Sequence, residues 1–105
     1  MPNMMKLMQK AASLQRDMEK AQAGLAQKTV EFSSGGGMVK VVARGDQTVQ
    51  SIKIDPSVVN AADVQLLEDM VLAAVDGALK ASKDMATQEM SRLAGDLGLP
   101  GLMGR

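Results

Sequence analysis

The chain has 105 residues, enough for one domain with a modest core, and its 12 Lys and Arg side chains balance 12 Asp and Glu side chains. It contains no Cys and no His, which excludes disulfides, thiolate zinc sites, imidazole bases and Cys or Ser–His nucleophiles. We therefore expect no enzymatic activity, no cofactor and no small-molecule substrate.

The first predicted element is a helix from about Asn3 to Lys28. One apolar stripe runs along it, made of Met4, Leu7, Ala11, Leu14, Met18, Ala21 and Leu25. The heptad spacing favours packing against another long helix, and a helix that covers its own sheet explains the stripe equally well. Residues 1–28 carry five cations and two acids, so charge is distributed unevenly along a chain whose net charge is zero.

A three-stranded antiparallel meander follows, since apolar residues recur with period two and glycines separate the runs. We interpret Gly35–Gly37 as a hairpin turn and Gly45-Asp46 as a two-residue turn, which would place Val42 opposite Val49 and Val39 opposite Ile52. The expected core face is Val39, Val41, Ala43, Ile52 and Ile54. The other face, with Met38, Lys40, Val42, Arg44, Val49, Ser51 and Lys53, is either solvated or a contact surface.

Asp55-Pro56-Ser57 ends the third strand, and we interpret the carboxylate as part of an Asx-type turn. Asn60 is the predicted N-cap of a second helix that runs to about Ala94. Such a helix is about 50 Å long, whereas a compact domain of this size has a radius of gyration of about 13 Å. Part of the helix must therefore project from the fold or pack on a partner.

No segment suggests a membrane or secretory role. The longest apolar run, Met70–Val75, has six residues, and the N-terminus lacks the apolar stretch and cleavage site of a signal peptide. We therefore expect a cytoplasmic protein. The Asp and Glu residues near the start of the second helix are where acids belong electrostatically, so we expect no metal site there.

Taken together, the chain resembles the YbaB/EbfC family of small bacterial nucleoid-associated proteins over nearly its whole length. Four segments in the right order carry the resemblance: Asn3–Met8, Gly37–Val41, Ile52–Pro56, and Leu67–Val71 together with Ala73–Val75 and Ala78–Lys80. The tail Leu97-Gly98-Leu99-Pro100-Gly101 is also similar to that family's C-terminus.

The resemblance implies an α+β subunit of order α-β-β-β-α that forms an intertwined homodimer with protruding helices and binds DNA. It also implies one domain over residues 1–95 and a flexible tail over 96–105. One departure is Gly77, which lies mid-helix where the family usually has a bulkier polar residue. A glycine at this position lowers the stability of the helix by about 1 kcal/mol relative to alanine, unless a close contact requires the absence of a side chain.

Two functional hypotheses follow. The first is a homodimeric nucleoid protein that binds double-stranded DNA through phosphates with weak sequence preference; the second is a dimeric adaptor for replication or recombination machinery. Residues three or four apart share a helix face, which suggests two phosphate-binding patches. The candidates are Lys6, Lys10, Arg16, Lys80, Lys83 and Arg92. Each is explained equally well as a solvated side of an amphipathic helix.

Overall fold

The computed structural model describes residues 3–96 and has the predicted α+β order, α-β-β-β-α. Its elements are α1 (Met4–Gln27), β1 (Thr29–Ser34), β2 (Val39–Arg44), β3 (Val49–Ile54), a 3-10 turn (Pro56–Val58) and α2 (Val64–Asp96). Asp96, assigned above to the tail, belongs to α2, and the rest of the predicted tail lies outside the described residues.

Helix α1 is attached to the rest of the protein mainly at its C-terminal end. Asn3 caps its start, where the Asn3 side chain accepts a hydrogen bond from the Met5 amide at 2.9 Å. Leu25 is its one fully buried residue, and the Gly45 amide donates to the Leu25 carbonyl at 2.9 Å. The molecule is consequently elongated, with extents of 73 × 25 × 16 Å and a radius of gyration of 19.7 Å.

The strands form one antiparallel sheet in the order β1-β2-β3, but the predicted register of β2 and β3 is wrong. Val39 lies opposite Ile54 and Val42 opposite Ser51. The turn holds three residues, and its third, Gln47, has a φ of 67°. The Asp46 carboxylate accepts hydrogen bonds from the Thr48 hydroxyl at 2.6 Å and the Thr48 amide at 3.2 Å, which favours this longer turn.

A bulge at Val42 and Ala43 changes the face of one residue of β3. Beyond the bulge, Ala43 pairs with Val49, so Val49 belongs to the face of Val41 and Ile52. The prediction that Val49 lies on the outer face is therefore wrong. The other members of both predicted faces of β2 and β3 alternate as expected.

Helix α2 covers β1 and β2 and forms the core with them. The fully buried cluster consists of Val39, Val41, Ala43, Ala74 and Ala78, with Val30, Met70, Val71 and Val75 packed around it. The buried Ser82 hydroxyl donates to the Arg44 carbonyl and accepts from the Gln47 amide at 3.1 Å. These hydrogen bonds link the second hairpin, formed by β2 and β3, to α2. On the same sheet face, β3 leaves Val49, Ile52 and Ile54 exposed.

The cap residue predicted for α2 is also corrected. Asn60 caps a separate turn, in which its side chain accepts from the Ala62 amide at 2.9 Å. The N-cap of α2 is Asp63, which accepts from the Leu66 amide at 3.2 Å. The Asx-type turn at Asp55 is confirmed, because the Asp55 carboxylate accepts from the Ser57 amide at 2.9 Å.

Candidate nucleic-acid interface

The cations of α1 occupy one face of a helix that leaves the body. At 100° per residue, all four α1 cations fall within an arc of about 120°. These residues, the α1 cationic face, are Lys6, Lys10, Arg16 and Lys20, and all four are exposed. Within residues 3–96 none of them lies within ion-pair distance of a carboxylate. Asp17 is the one acid on this arc, and it is half-buried.

The three cations predicted on α2 are exposed but do not form one patch. Arg92 lies about 180° around the helix from Lys83. Lys80 forms an ion pair with Asp76 at 3.1 Å, and Arg92 binds both Glu89 and Asp96, the latter at 3.2 Å. Only Lys83 of this set has no carboxylate within ion-pair distance among the described residues. The structure therefore groups Lys6, Lys10 and Arg16, keeps Lys80 and Lys83 on one face of α2, and places Arg92 on another face.

A charged cluster joins the base of α1 to the distal part of α2. Glu89 accepts hydrogen bonds from the Lys28 ammonium at 3.3 Å and from the Arg92 guanidinium. The hydrogen bond from Arg92, followed by that from Lys28, lowers the pKa of Glu89, and the same Glu89 contact raises the pKa of Arg92. Lys20 and Asp17 line the cleft beside this cluster.

The cluster and the cleft beside it include two cations that the predicted site omitted. Lys20 has a sequence signal, because it lies four residues after Arg16 on the same helix face. Lys28 has none, since its partner Glu89 is 61 residues away along the chain.

Comparison with known proteins decides the family. The sequence profile described as the YbaB/EbfC DNA-binding family matches residues 1–97. The chain belongs to the YbaB/EbfC DNA-binding family. A relative called nucleoid-associated protein, from Pelotomaculum thermopropionicum, is 49% identical over 100 residues that cover 95% of each chain. A protein of the same name from Syntrophobacter fumaroxidans is 50% identical over 95 residues, covering 90% of this chain and 86% of the relative.

A solved structure supports the YbaB/EbfC fold. The crystal structure of an uncharacterized protein from Helicobacter pylori matches with a TM-score of 0.74 at 18% identity and covers 92% of this chain and 98% of that one. Because the identity is low, this likeness concerns the fold alone.

The outer face of the sheet carries a second, smaller group of cations in this YbaB/EbfC chain. Lys40 lies directly opposite Lys53, and both are exposed. Arg44 is half-buried and donates to the Thr48 hydroxyl at 3.3 Å. The neighbouring strand adds Glu31, which is diagonal to Lys40 across β1 and β2. Lys40 and Lys53 thus form a weaker cationic surface than the α1 cationic face.

Two further observations concern other ligands. Over residues 3–96, no three or more Asp and Glu side chains are grouped so that they could hold a metal ion. Neither α1 nor the described length of α2 is long and apolar enough to cross a membrane.

Proposed function

We propose that this chain is a nucleoid-associated protein that acts as a homodimer and binds duplex DNA, mainly through phosphate contacts and with weak sequence preference. The observation that carries the proposal is the α1 cationic face on a projecting helix. Membership of a DNA-binding family and the name shared by its relatives support DNA as the partner and the nucleoid as its location. We expect no enzymatic activity.

Weak sequence preference follows from the chemistry of the α1 cationic face. Three of its four members are lysines, whose compact ammonium groups bind phosphate as point charges, and phosphate contacts carry no direct sequence information. An exposed cation without an internal ion pair can replace condensed counterions on DNA without first giving up a carboxylate partner. Lys6, Lys10 and Lys20 meet this condition within the described residues.

A homodimer is supported by two apolar surfaces that one copy leaves uncovered. On the sheet, the exposed part of β3 continues the core face beyond α2, with Ile52 46% exposed. On α1, the N-terminal part of the predicted stripe is uncovered as well, with Met4 71% exposed. A second copy covers like surface with like surface in a two-fold dimer, and the same symmetry doubles the α1 cationic face.

The test is a gel-shift titration with duplexes of unrelated sequence over a salt series. We expect Lys6→Ala/Lys10→Ala to weaken binding to every duplex alike and to lower the salt slope by about 0.9 for each phosphate that the variant no longer neutralises. The matched variant, Lys80→Ala/Lys83→Ala, removes the same charge, but Lys80 already has a carboxylate partner in Asp76. Its loss of affinity should be smaller.

Both variants are first checked to remain folded dimers by circular dichroism and light scattering. If both bind as tightly as the parent at every salt concentration, the helices do not carry DNA binding. Lys40 and Lys53 are then the next cations to substitute.

The second candidate is a dimeric protein-interaction adaptor for replication or recombination machinery. It is favoured by the exposed methionines near the start of α1, since flexible thioether side chains suit adaptable docking surfaces. These methionines are Met4, Met5 and Met8. A parent protein whose DNA binding is absent at physiological salt would favour the adaptor over the DNA-binding dimer.

A further inference from the structure

The cleft between α1 and α2 is open and highly charged. It encloses about 260 Å³, several times the share of one water molecule. Three cations and two carboxylates line it: Lys20, Lys28, Arg92, Asp17 and Glu89. Its wall on α1 includes Gly24, where nothing lies within 4 Å of the position that a side chain would occupy. The cleft therefore has room for an additional polar group.

Glu89 binds two of the three cations in this cleft. Its carboxylate accepts from Lys28 at 3.3 Å on one oxygen and from Arg92 on the other, and its side chain is only 14% exposed. Among residues 3–96 the contact with Lys28 is the one ion pair that joins two different parts of the chain, since the others lie within α2. Glu89 thus shows where an anion binds between the helices.

We propose that this cleft is a phosphate site for the DNA backbone, in which Lys20, Lys28 and Arg92 bind phosphate oxygens and Glu89 is the internal anion that the phosphate displaces. The inference rests on the proposed DNA-binding function. An arginine fork and a nearby ammonium recognise carboxylate and phosphate oxygens with the same geometry, so the position of Glu89 marks the position of the phosphate.

The cleft is continuous with the α1 cationic face. Lys20 belongs to both, and Arg16 lies one helical turn before it. A DNA strand that follows Lys6, Lys10 and Arg16 towards the body therefore meets the cleft next. Because Glu89 must first release Lys28 and Arg92, it lowers the affinity for DNA, and the removal of its charge should strengthen binding.

Glu89→Gln tests this directly, because it keeps the shape of the side chain and removes its charge. The control is Glu68→Gln, which makes the same charge change at an exposed residue of α2 that has no ion pair in the described structure. Both are titrated with one short duplex of mixed sequence over a salt series. We expect Glu89→Gln to bind about fivefold more tightly than Glu68→Gln, because DNA no longer has to break the ion pairs of Glu89, and to have a steeper salt slope.

Two further variants identify the cations and guard against a folding defect. Adding Arg92→Gln or Lys28→Gln to Glu89→Gln should remove the gain, because the released cations are then absent. Asp96→Asn frees the other end of the Arg92 guanidinium without changing the contact between helices, and it should give a smaller gain. It tests the same site even if Glu89→Gln does not fold.

The outcomes separate this site from the proposed function. A parent that binds DNA while Glu89→Gln and Asp96→Asn bind no better than Glu68→Gln overturns the cleft and leaves the DNA-binding dimer in place. Weaker DNA binding by a folded Glu89→Gln dimer also overturns the cleft proposal, because Glu89 would then only stabilise the packing between the helices. A parent without salt-dependent DNA binding overturns both proposals.

Discussion

The ring of Phe32 lies directly against the bare backbone of Gly77, in the middle of α2. A Cβ atom at residue 77 would overlap three atoms of that ring. Glycine costs a helix about 1 kcal/mol relative to alanine, and here it allows β1 and α2 to approach closely enough to pack the only aromatic side chain of the protein. This contact is the close approach that requires a glycine in the middle of the helix.

We expect Gly77→Ala to lower the free energy of unfolding by about 1–3 kcal/mol, because the added methyl group forces the ring of Phe32 to move. Urea unfolding at fixed protomer concentration measures the effect. The control is Gly24→Ala on α1, where nothing lies within 4 Å of the added atom, and alanine should raise stability by up to about 1 kcal/mol.

The contact between Phe32 and Gly77 predicts that the effect of Gly77→Ala on stability changes sign when the ring is absent. With Phe32→Ala in the background, Gly77→Ala should no longer destabilise and should gain from the better helix propensity of alanine. Equal destabilisation with and without the ring would contradict the explanation.

The sequence predicted the helices and strands better than their pairing. Period-two alternation identifies β2 and β3 wherever their register lies, so the strands were right while the hairpin turn was wrong. The turn depends on Gln47 in a left-handed conformation, where glycine is the usual residue, and on the hydrogen bond that the Thr48 hydroxyl donates to the Asp46 carboxylate. Asn60 and Asp63 both suit an N-cap, and only the folded backbone distinguishes them.

The grouping of the candidate cations follows only in part from the sequence, for a similar reason. Spacing along one helix shows that Lys6 and Lys10 share a face, and the same spacing from Arg16 would have added Lys20, which the prediction omitted. It shows neither that Glu89 contacts Lys28 nor that Arg92 is already paired, since the first contact depends on how α1 and α2 meet.

Ser82 is the buried polar link between α2 and the second hairpin. We expect Ser82→Ala to lower the free energy of unfolding by about 1 kcal/mol, because the Gln47 amide and the Arg44 carbonyl would each lose the hydrogen bond to α2, while the hydrogen bond that joins them to each other remains. Thermal or urea unfolding reports the change. Ser91→Ala, at an exposed position of the same helix, should change stability by less than about 0.5 kcal/mol. Equal effects of the two substitutions would show that the buried link contributes nothing.

The proposed dimer predicts opposite results for two neighbouring residues of β3. Ile52 lies on the apolar face that α2 leaves uncovered, and Lys53 lies on the outer face. We expect Ile52→Glu to shift the protein towards monomers, because a carboxylate at an apolar interface loses its hydration. Lys53→Glu should leave the dimer intact. Light scattering over a concentration series distinguishes the two, and an unchanged Ile52→Glu dimer would remove β3 from the interface.

The Glu89 network makes a contribution to stability that depends on pH. Hydrogen bonds from Arg92 and Lys28 hold the pKa of Glu89 below its unfolded value of about 4.3, so the carboxylate favours the folded state above that pH. As the pH falls below about 4.3 and through the lower folded pKa, the carboxylate is protonated and this contribution is lost. Glu89→Gln should therefore melt below the parent at pH 7, and the gap should close in acid.

Thermal melts from neutral to acidic pH, at one protomer concentration, measure this gap. Arg92→Gln provides the matched control, because it removes the partner with the largest effect on Glu89. In that background Glu89→Gln should lower the melting temperature less at pH 7, and the remaining gap should change less with pH. A gap between parent and Glu89→Gln that stays constant into strong acid would show that the ion pairs of Glu89 with Lys28 and Arg92 do not stabilise the fold.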